Sequence, residues 1–262
     1  MKDFSPTLLF RFRSLSGPSE DFTKSIITRN EIYFSDPASL NDPYDCQPTF
    51  DINGSPDEWK RHLSRSLKMQ GSKKISISER IRITRKWMAE EKYKNINPET
   101  FKQLTSRFGI ACFSAAMNNM LLWTHYADNH RGICLIFEPS KDSYGALTHS
   151  SEIQYQTELP HIRLVDLSET GDSEIIKILL TKSKQWQHEH EYRLILPYGA
   201  KQSLKFHPSS LIGIVLGAKI SKEHEAKVRS WAAAHPYRPI IHSGKLSSNS
   251  YDVVINQPST NK

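Results

Sequence analysis

KSKQWQHEHEYRLIL, residues Lys182–Leu196, is the stretch whose reading decides the fold. Its first part reads as the end of a helix that starts at Ser173 and runs to Lys184, followed by Trp186. The second part reads as a strand, because strand side chains alternate with period two. In that register Glu189, Glu191 and Arg193 share one face, and Tyr192, Leu194 and Leu196 share the other. The two glutamates would stand about 7 Å apart at strand rise. Two carboxylates and a guanidinium beside apolar neighbours are costly to bury unless they pair or bind something. Two readings stay open: an edge strand with a solvated charged face, or a strand that presents acids to a polar ligand.

Other strands flank this one in the sequence. Leu8–Ser14 (LLFRFRS) alternates, with Arg11 and Arg13 on one face and Phe10 and Phe12 on the other. Ser19–Arg29 has helical spacing, and Glu31–Phe34 is a short strand, an order that brings Arg13 within reach of Tyr33. Gly109–Ser114 returns to strand. Asn118–Asn129 reads as a helix carrying Trp123, His125 and Tyr126, and Gly132 permits the turn into the apolar run Ile133–Glu138. Ile153–Gln156, His161–Val165, Leu211–Leu216, Tyr237–His242 and Tyr251–Ile255 complete the strands. Ser221 caps a helix to Ala234. Helices and strands mix without regular alternation, so the expected class is α+β with a mixed or antiparallel central sheet.

The stretch 56–108 breaks this pattern and reads as a helical insertion. Trp59, Leu63 and Leu67 step by four, Ser76 and Glu79 make a capping box, and Asn97-Pro98 starts a helix. Between Lys60 and Lys86 stand ten Lys or Arg residues and one acid, Glu79. Lys60, Arg61, Arg65, Lys68, Lys73, Lys74, Arg82, Arg85 and Lys86 make either a solvated face or a patch that neutralises nucleic-acid phosphates. Met69–Lys74 reads as a mobile link. The loop Ser35–Asp45 (SDPASLNDPYD) is rich in turn formers, and its Asp36, Asn41, Asp42 and Asp45 either cap turns or line a pocket.

Composition bounds these readings. With 262 residues, 37% hydrophobic and 24% charged, the chain suits one globular domain over 1–255, insertion included, with a disordered tail over 256–262. No apolar run approaches the roughly 18 residues of a membrane span. Three widely spaced cysteines, Cys46, Cys112 and Cys134, fit a reducing cytoplasm and form no zinc pattern. The net charge of +7 permits a phosphate-rich partner.

Several pieces together resemble the DUF2971 family of bacterial proteins: FRFRSL, IYFSDPASLNDPYDC, ACFS, LLWTHYADNHRGICLIF, KSKQWQHEHEYRLI and IVLGAKIS, from Leu8 to about Ile220. The order of features also resembles the ADP-ribosyltransferase fold. That resemblance implies NAD as substrate, with Glu191 facing the ribosyl cation and Glu189 orienting or deprotonating the acceptor. It further implies that Arg13 holds the pyrophosphate, with Tyr33, Ser35, Asn41, Asp42, Trp123, Tyr126 and Arg193 around the cofactor and His125 in the same cleft. The implied activity is transfer to nucleic acid or protein, or NAD hydrolysis, as a toxin or anti-phage effector. A metal-dependent hydrolase or nuclease built from Asp42, Asp45, His125 and Glu191, and a non-catalytic module binding nucleic acid or a partner protein, remain as alternatives.

Overall fold

The structure, a computed structural model, describes residues 6–69, 76–90 and 98–256. In chain order the elements are β1 (Leu9–Arg13), α1 (Ser19–Arg29), β2 (Glu31–Phe34), β3 (Thr49–Asp51), α2 (Pro56–Met69), α3 (Ile77–Ala89), α4 (Pro98–Thr105), β4 (Gly109–Ser114) and α5 (Met120–Tyr126). β5 (Ile133–Phe137), β6 (Ser151–Glu152), β7 (Gln154–Gln156), β8 (His161–Arg163), α6 (Leu167–Thr170), α7 (Asp172–Leu179), β9 (Thr181–Ser183) and β10 (Glu191–Leu196) follow. β11 (Gln202–Lys205), β12 (Leu211–Leu216), α8 (Lys222–Ala234), β13 (Ile240–Leu246) and β14 (Val253–Asn256) end the described chain. The link around Lys73 and Lys74 and the tail from residue 257 lie outside the described residues.

These residues divide into two compact units. The first holds the described residues up to Asp36, Phe108–Ile153 and those from Gln185; the second holds Pro37–Arg107 and Gln154–Lys184. The insertion expected at about 56–108 falls in the second unit as far as Arg107, and that unit also takes 37–55 and 154–184.

The first unit is built on an eight-stranded sheet in the order β14-β13-β12-β5-β1-β4-β10-β6. Its ladders are antiparallel except for β12 with β13, so the class is α+β. Antiparallel partners point to the same face, so the register assigns each side chain. Leu9, Arg11 and Arg13 oppose Phe137, Leu135 and Ile133. These three partners belong to a core covered by Ile26 and Ile27 of α1 and Val228 and Ala232 of α8. Phe10 and Phe12 oppose Ile136 and Cys134 and join Leu122 and Trp123 of α5 in the core on the other face. β5 is buried along its whole length because both faces are covered. Gly132 leads into it, and a Cβ there would collide with the Arg13 carbonyl.

In the second unit β3 pairs with β8 and β7 with β9, both in parallel. Trp59 packs with Leu164 and Val165. The buried Lys182 ammonium lies 3.9 Å from the Asp45 carboxylate.

The structure corrects several boundaries. The helix expected to reach Lys184 ends at Leu179, because Thr181–Ser183 is drawn into the ladder with β7, a tertiary pairing that overrides local preference. The helix expected over Asn118–Asn129 is only Met120–Tyr126. Asn119 caps it by accepting from the Leu121 and Leu122 N–H groups, and Asp128, Asn129 and His130 take left-handed backbone angles that no helix continues. The strand expected at His161–Val165 stops at Arg163, where a 3-10 turn begins. β13 and β14 start at Ile240 and Val253 rather than at Tyr237 and Tyr251.

Candidate functional site

Glu189 is not on the strand. Residues Lys184–Glu189 wind as 3-10 turns, His190 adopts φ 44°, and β10 begins at Glu191. The left-handed residue breaks the period of two, so the acids expected on one face part company. The turn is pinned from both sides. Ser114 Oγ donates to the Glu189 carbonyl at 2.6 Å, the Ala115 N–H donates to the His190 carbonyl at 2.9 Å, and Asn119 Nδ2 donates to the His188 carbonyl.

Glu191 and Arg193 do share a face, opposite Ser114 and Cys112 of β4. Ser114 is also the partner of Phe10, so this is the α5 side of the sheet. Arg193 grips Glu191 with two donors, Nε at 2.6 Å and Nη2 at 3.2 Å, and both side chains are buried. A planar fork on a carboxylate is a strong, directional contact. Glu191 is thereby engaged by its own strand.

Glu189 has different company. Its carboxylate is buried and accepts a 2.8 Å hydrogen bond from the Tyr126 hydroxyl. Around Tyr126 the rings form a chain: His125 lies 6.3 Å from Tyr126 and 6.3 Å from Trp186, and Trp186 lies 6.0 Å from His188. His188 Nδ1 donates to the Gln185 carbonyl at 3.0 Å, and its Nε2 is buried with no hydrogen-bond partner. His125 is exposed, and Tyr126, Trp186 and His188 are half-buried, so the rings run from solvent down to the acid. α5 supplies two members and the 3-10 turn the others.

The remaining expected site residues are dispersed. Arg13 points to the opposite face from Glu191, where its Nε meets Thr23 Oγ1 at 3.3 Å. Arg11 shares that face, with its guanidinium 5.2 Å from the centre of the Phe113 ring and a buried Nη1 that has no hydrogen-bond partner. Burial, together with the neighbouring Arg13 charge, lowers the Arg11 pKa to about 9; burial also lowers Arg13. Tyr33 packs on Phe22 at 4.7 Å, and Ser35 exchanges backbone hydrogen bonds with Ile110. Trp123 is fully buried, edge-on to Phe12 and stacked on His130, so it is a core residue and no wall for a ligand. Asn41 and Asp42 belong to the second unit, where Asp42 caps a turn by accepting from the Tyr44 N–H at 2.9 Å. Among the described residues no group of three or more His, Cys, Asp or Glu side chains is arranged to hold a metal ion. Trp186 and His188 lie outside the set of site residues expected from the sequence. Their signal was present in the sequence, two rings immediately before the acidic pair, but the strand reading of the stretch hid it.

The basic run also resolves into parts. Arg82 pairs with Glu79, Lys86 with Glu90 and Lys60 with Asp57 along their own helices, and Arg65 pairs with Glu169. Between α2 and α3 lies a cleft of about 640 Å³ lined by Lys60, Arg61, Arg65, Arg80 and Arg85 together with Ser64, Thr84, Ile77 and Ile81.

Residues 122–194 match the family described as protein of unknown function (DUF2971). The matched span is shorter than the Leu8–Ile220 suggested by the motifs, and covers under a third of the chain. It nonetheless carries His125, Tyr126, Trp186, His188, Glu189, Glu191 and Arg193, and leaves out β1 and the basic helices. The ring-and-acid cluster therefore lies within the matched span. No curated protein and no solved structure matches the chain. Among the described residues no helix is long and apolar enough to cross a membrane.

Proposed function

We propose that the chain is an ADP-ribosyltransferase-like enzyme that consumes NAD, with Glu189 as its reacting acid and nucleic acid as the acceptor class. The observation that carries this reading is the Tyr126-held Glu189 carboxylate at the foot of the His125–Trp186 ring chain. In such a reaction the bond between nicotinamide nitrogen and ribose C1′ breaks, and nicotinamide leaves with the bonding pair. Positive charge builds on the ribosyl ring. A carboxylate that accepts a ribose hydroxyl and faces that charge stabilises the transition state more than the ground state. The acceptor oxygen or nitrogen then bonds to C1′ and gives up its proton to a base, a part His125 is exposed enough to play.

Glu189 takes the leading role because its carboxylate is held by Tyr126 beside the ring chain, while Glu191 is gripped by Arg193 of its own strand. Tyr126 fixes the Glu189 carboxylate, and Trp186 offers an aromatic face for the nicotinamide ring. The basic helices of the second unit favour a polyanionic acceptor.

The test is incubation of the purified protein with NAD, alone and with single-stranded DNA or RNA, and chromatographic detection of nicotinamide. Release above the uncatalysed rate supports the proposal. No release under any of these conditions overturns it.

A further inference from the structure

The cations between Lys60 and Lys86 look interchangeable in the sequence, but the fold sorts the described ones. Arg82 and Lys86 are exposed, and each is matched by an acid one turn away. Arg61, Arg80 and Arg85 have no acid partner among the described residues, and all three line the cleft between α2 and α3. The buried Nε of Arg80 has no hydrogen-bond partner, which is a donor held in place with nothing to donate to. No acid lines the cleft, while Ser64 and Thr84 add hydroxyls. Ile77 and Ile81 lie on the same lining and remain 69% and 48% exposed.

We propose that the α2–α3 cleft is a binding site for single-stranded nucleic acid, with Arg61, Arg80 and Arg85 on consecutive phosphates and Ile77 and Ile81 against the sugars and bases. A volume of about 640 Å³ admits a short stretch of strand. On α3, Arg80 and Arg85 stand five residues apart, about 7.5 Å at helical rise, and Arg61 reaches the same cleft from α2. Guanidinium is the cation suited to phosphate because its fork offers paired donors, and apolar side chains beside it accept the unstacked bases that only a single strand exposes. The inference rests on the nucleic-acid part of the proposed function and not on the NAD chemistry.

The experiment is fluorescence anisotropy of a labelled oligonucleotide of mixed sequence titrated with the full-length protein at several salt concentrations. With three to five phosphates engaged, the log–log salt slope is about −2 to −3.5, a loss of about 15- to 130-fold between 50 and 200 mM salt. Arg80→Gln/Arg85→Gln removes two contacts and makes the slope shallower by about 1.4. Arg82→Gln/Lys86→Gln removes the same formal charge from the same helix outside the cleft, and leaves slope and affinity within about twofold of wild type. Circular dichroism establishes that both double variants remain folded, and Arg61→Gln, on the other helix, gives an independent reading of the cleft. A flat salt slope overturns the inference, as does equal loss in the two double variants. Equal competition by inorganic polyphosphate or by phosphatidylserine vesicles overturns its assignment to nucleic acid. Nicotinamide release is measured separately, so failure of either experiment leaves the other result standing.

Discussion

Arg193→Met breaks the best-defined ion pair of the large sheet and carries the sharpest stability prediction. Both partners are buried, with side-chain exposures of 0% and 5%, and the guanidinium meets the carboxylate through two donors. Methionine keeps most of the length and packing of the side chain and deletes only the charge and the donors. Glu191 then stays buried but loses the two-donor grip of Arg193, and breaking a buried pair in this way costs about 3–5 kcal/mol. For a chain of this size that corresponds to a fall in melting temperature of roughly 6–20 °C. The paired change Glu191→Leu/Arg193→Met removes both charges and costs far less than the single one, within about 1–2 kcal/mol of wild type. Urea unfolding followed by circular dichroism, completed as a double-mutant cycle with Glu191→Leu, measures the coupling directly. A loss below about 1 kcal/mol for Arg193→Met, or a double variant whose loss is the sum of the two singles, refutes the view that the pair is a scaffold strut.

Arg11→Met makes the opposite case on the same sheet. Arg11 has no carboxylate partner among the described residues, a neighbouring arginine and an unsatisfied buried N–H, so its removal is neutral or stabilises the fold by up to about 1 kcal/mol, measured by urea unfolding. His235 gives a pH signature. Its Nδ1 accepts from the Tyr237 N–H at 3.2 Å, so the neutral ring donates from Nε2 to Asn30 Oδ1 at 2.8 Å, and burial lowers its pKa. A lowered folded-state pKa means that the unfolded chain binds the extra proton first, so stability falls as pH drops below the ordinary histidine range. Urea midpoints taken between about pH 7.5 and 5 show this fall, and His235→Gln makes it shallower; an unchanged slope in the variant contradicts the assignment.

Much of the sheet could be read from the sequence because its strands carry their own pattern. Leu8–Ser14 alternates cleanly, and Ile133–Phe137 is apolar throughout, the mark of a strand buried on both faces. The caps at Ser76 and Ser221 were legible for the same local reason: each side chain accepts from the N–H three residues on. What the sequence hid was set by long-range pairing. Thr181–Ser183 became a strand because Gln154–Gln156 lies beside it, and no residue within the segment announces that partner. The site suffered from a single left-handed residue. His190 turns the chain so that Glu189 meets Tyr126 while Glu191 meets Arg193, whereas uninterrupted alternation put both acids on one face. The face that Arg13 takes relative to Glu191 is hidden for a related reason, since it depends on the register of β1 with its neighbours, which a single sequence does not carry.

The most direct measurement of which acid reacts is nicotinamide release by Glu189→Gln and Glu191→Gln, each normalised to folded protein by circular dichroism. With Glu189 as the reacting acid, Glu189→Gln keeps its fold and loses release by at least about 100-fold, while Glu191→Gln is less stable but turns over at nearly the wild-type rate per folded molecule. Wild-type turnover by Glu189→Gln would contradict the account.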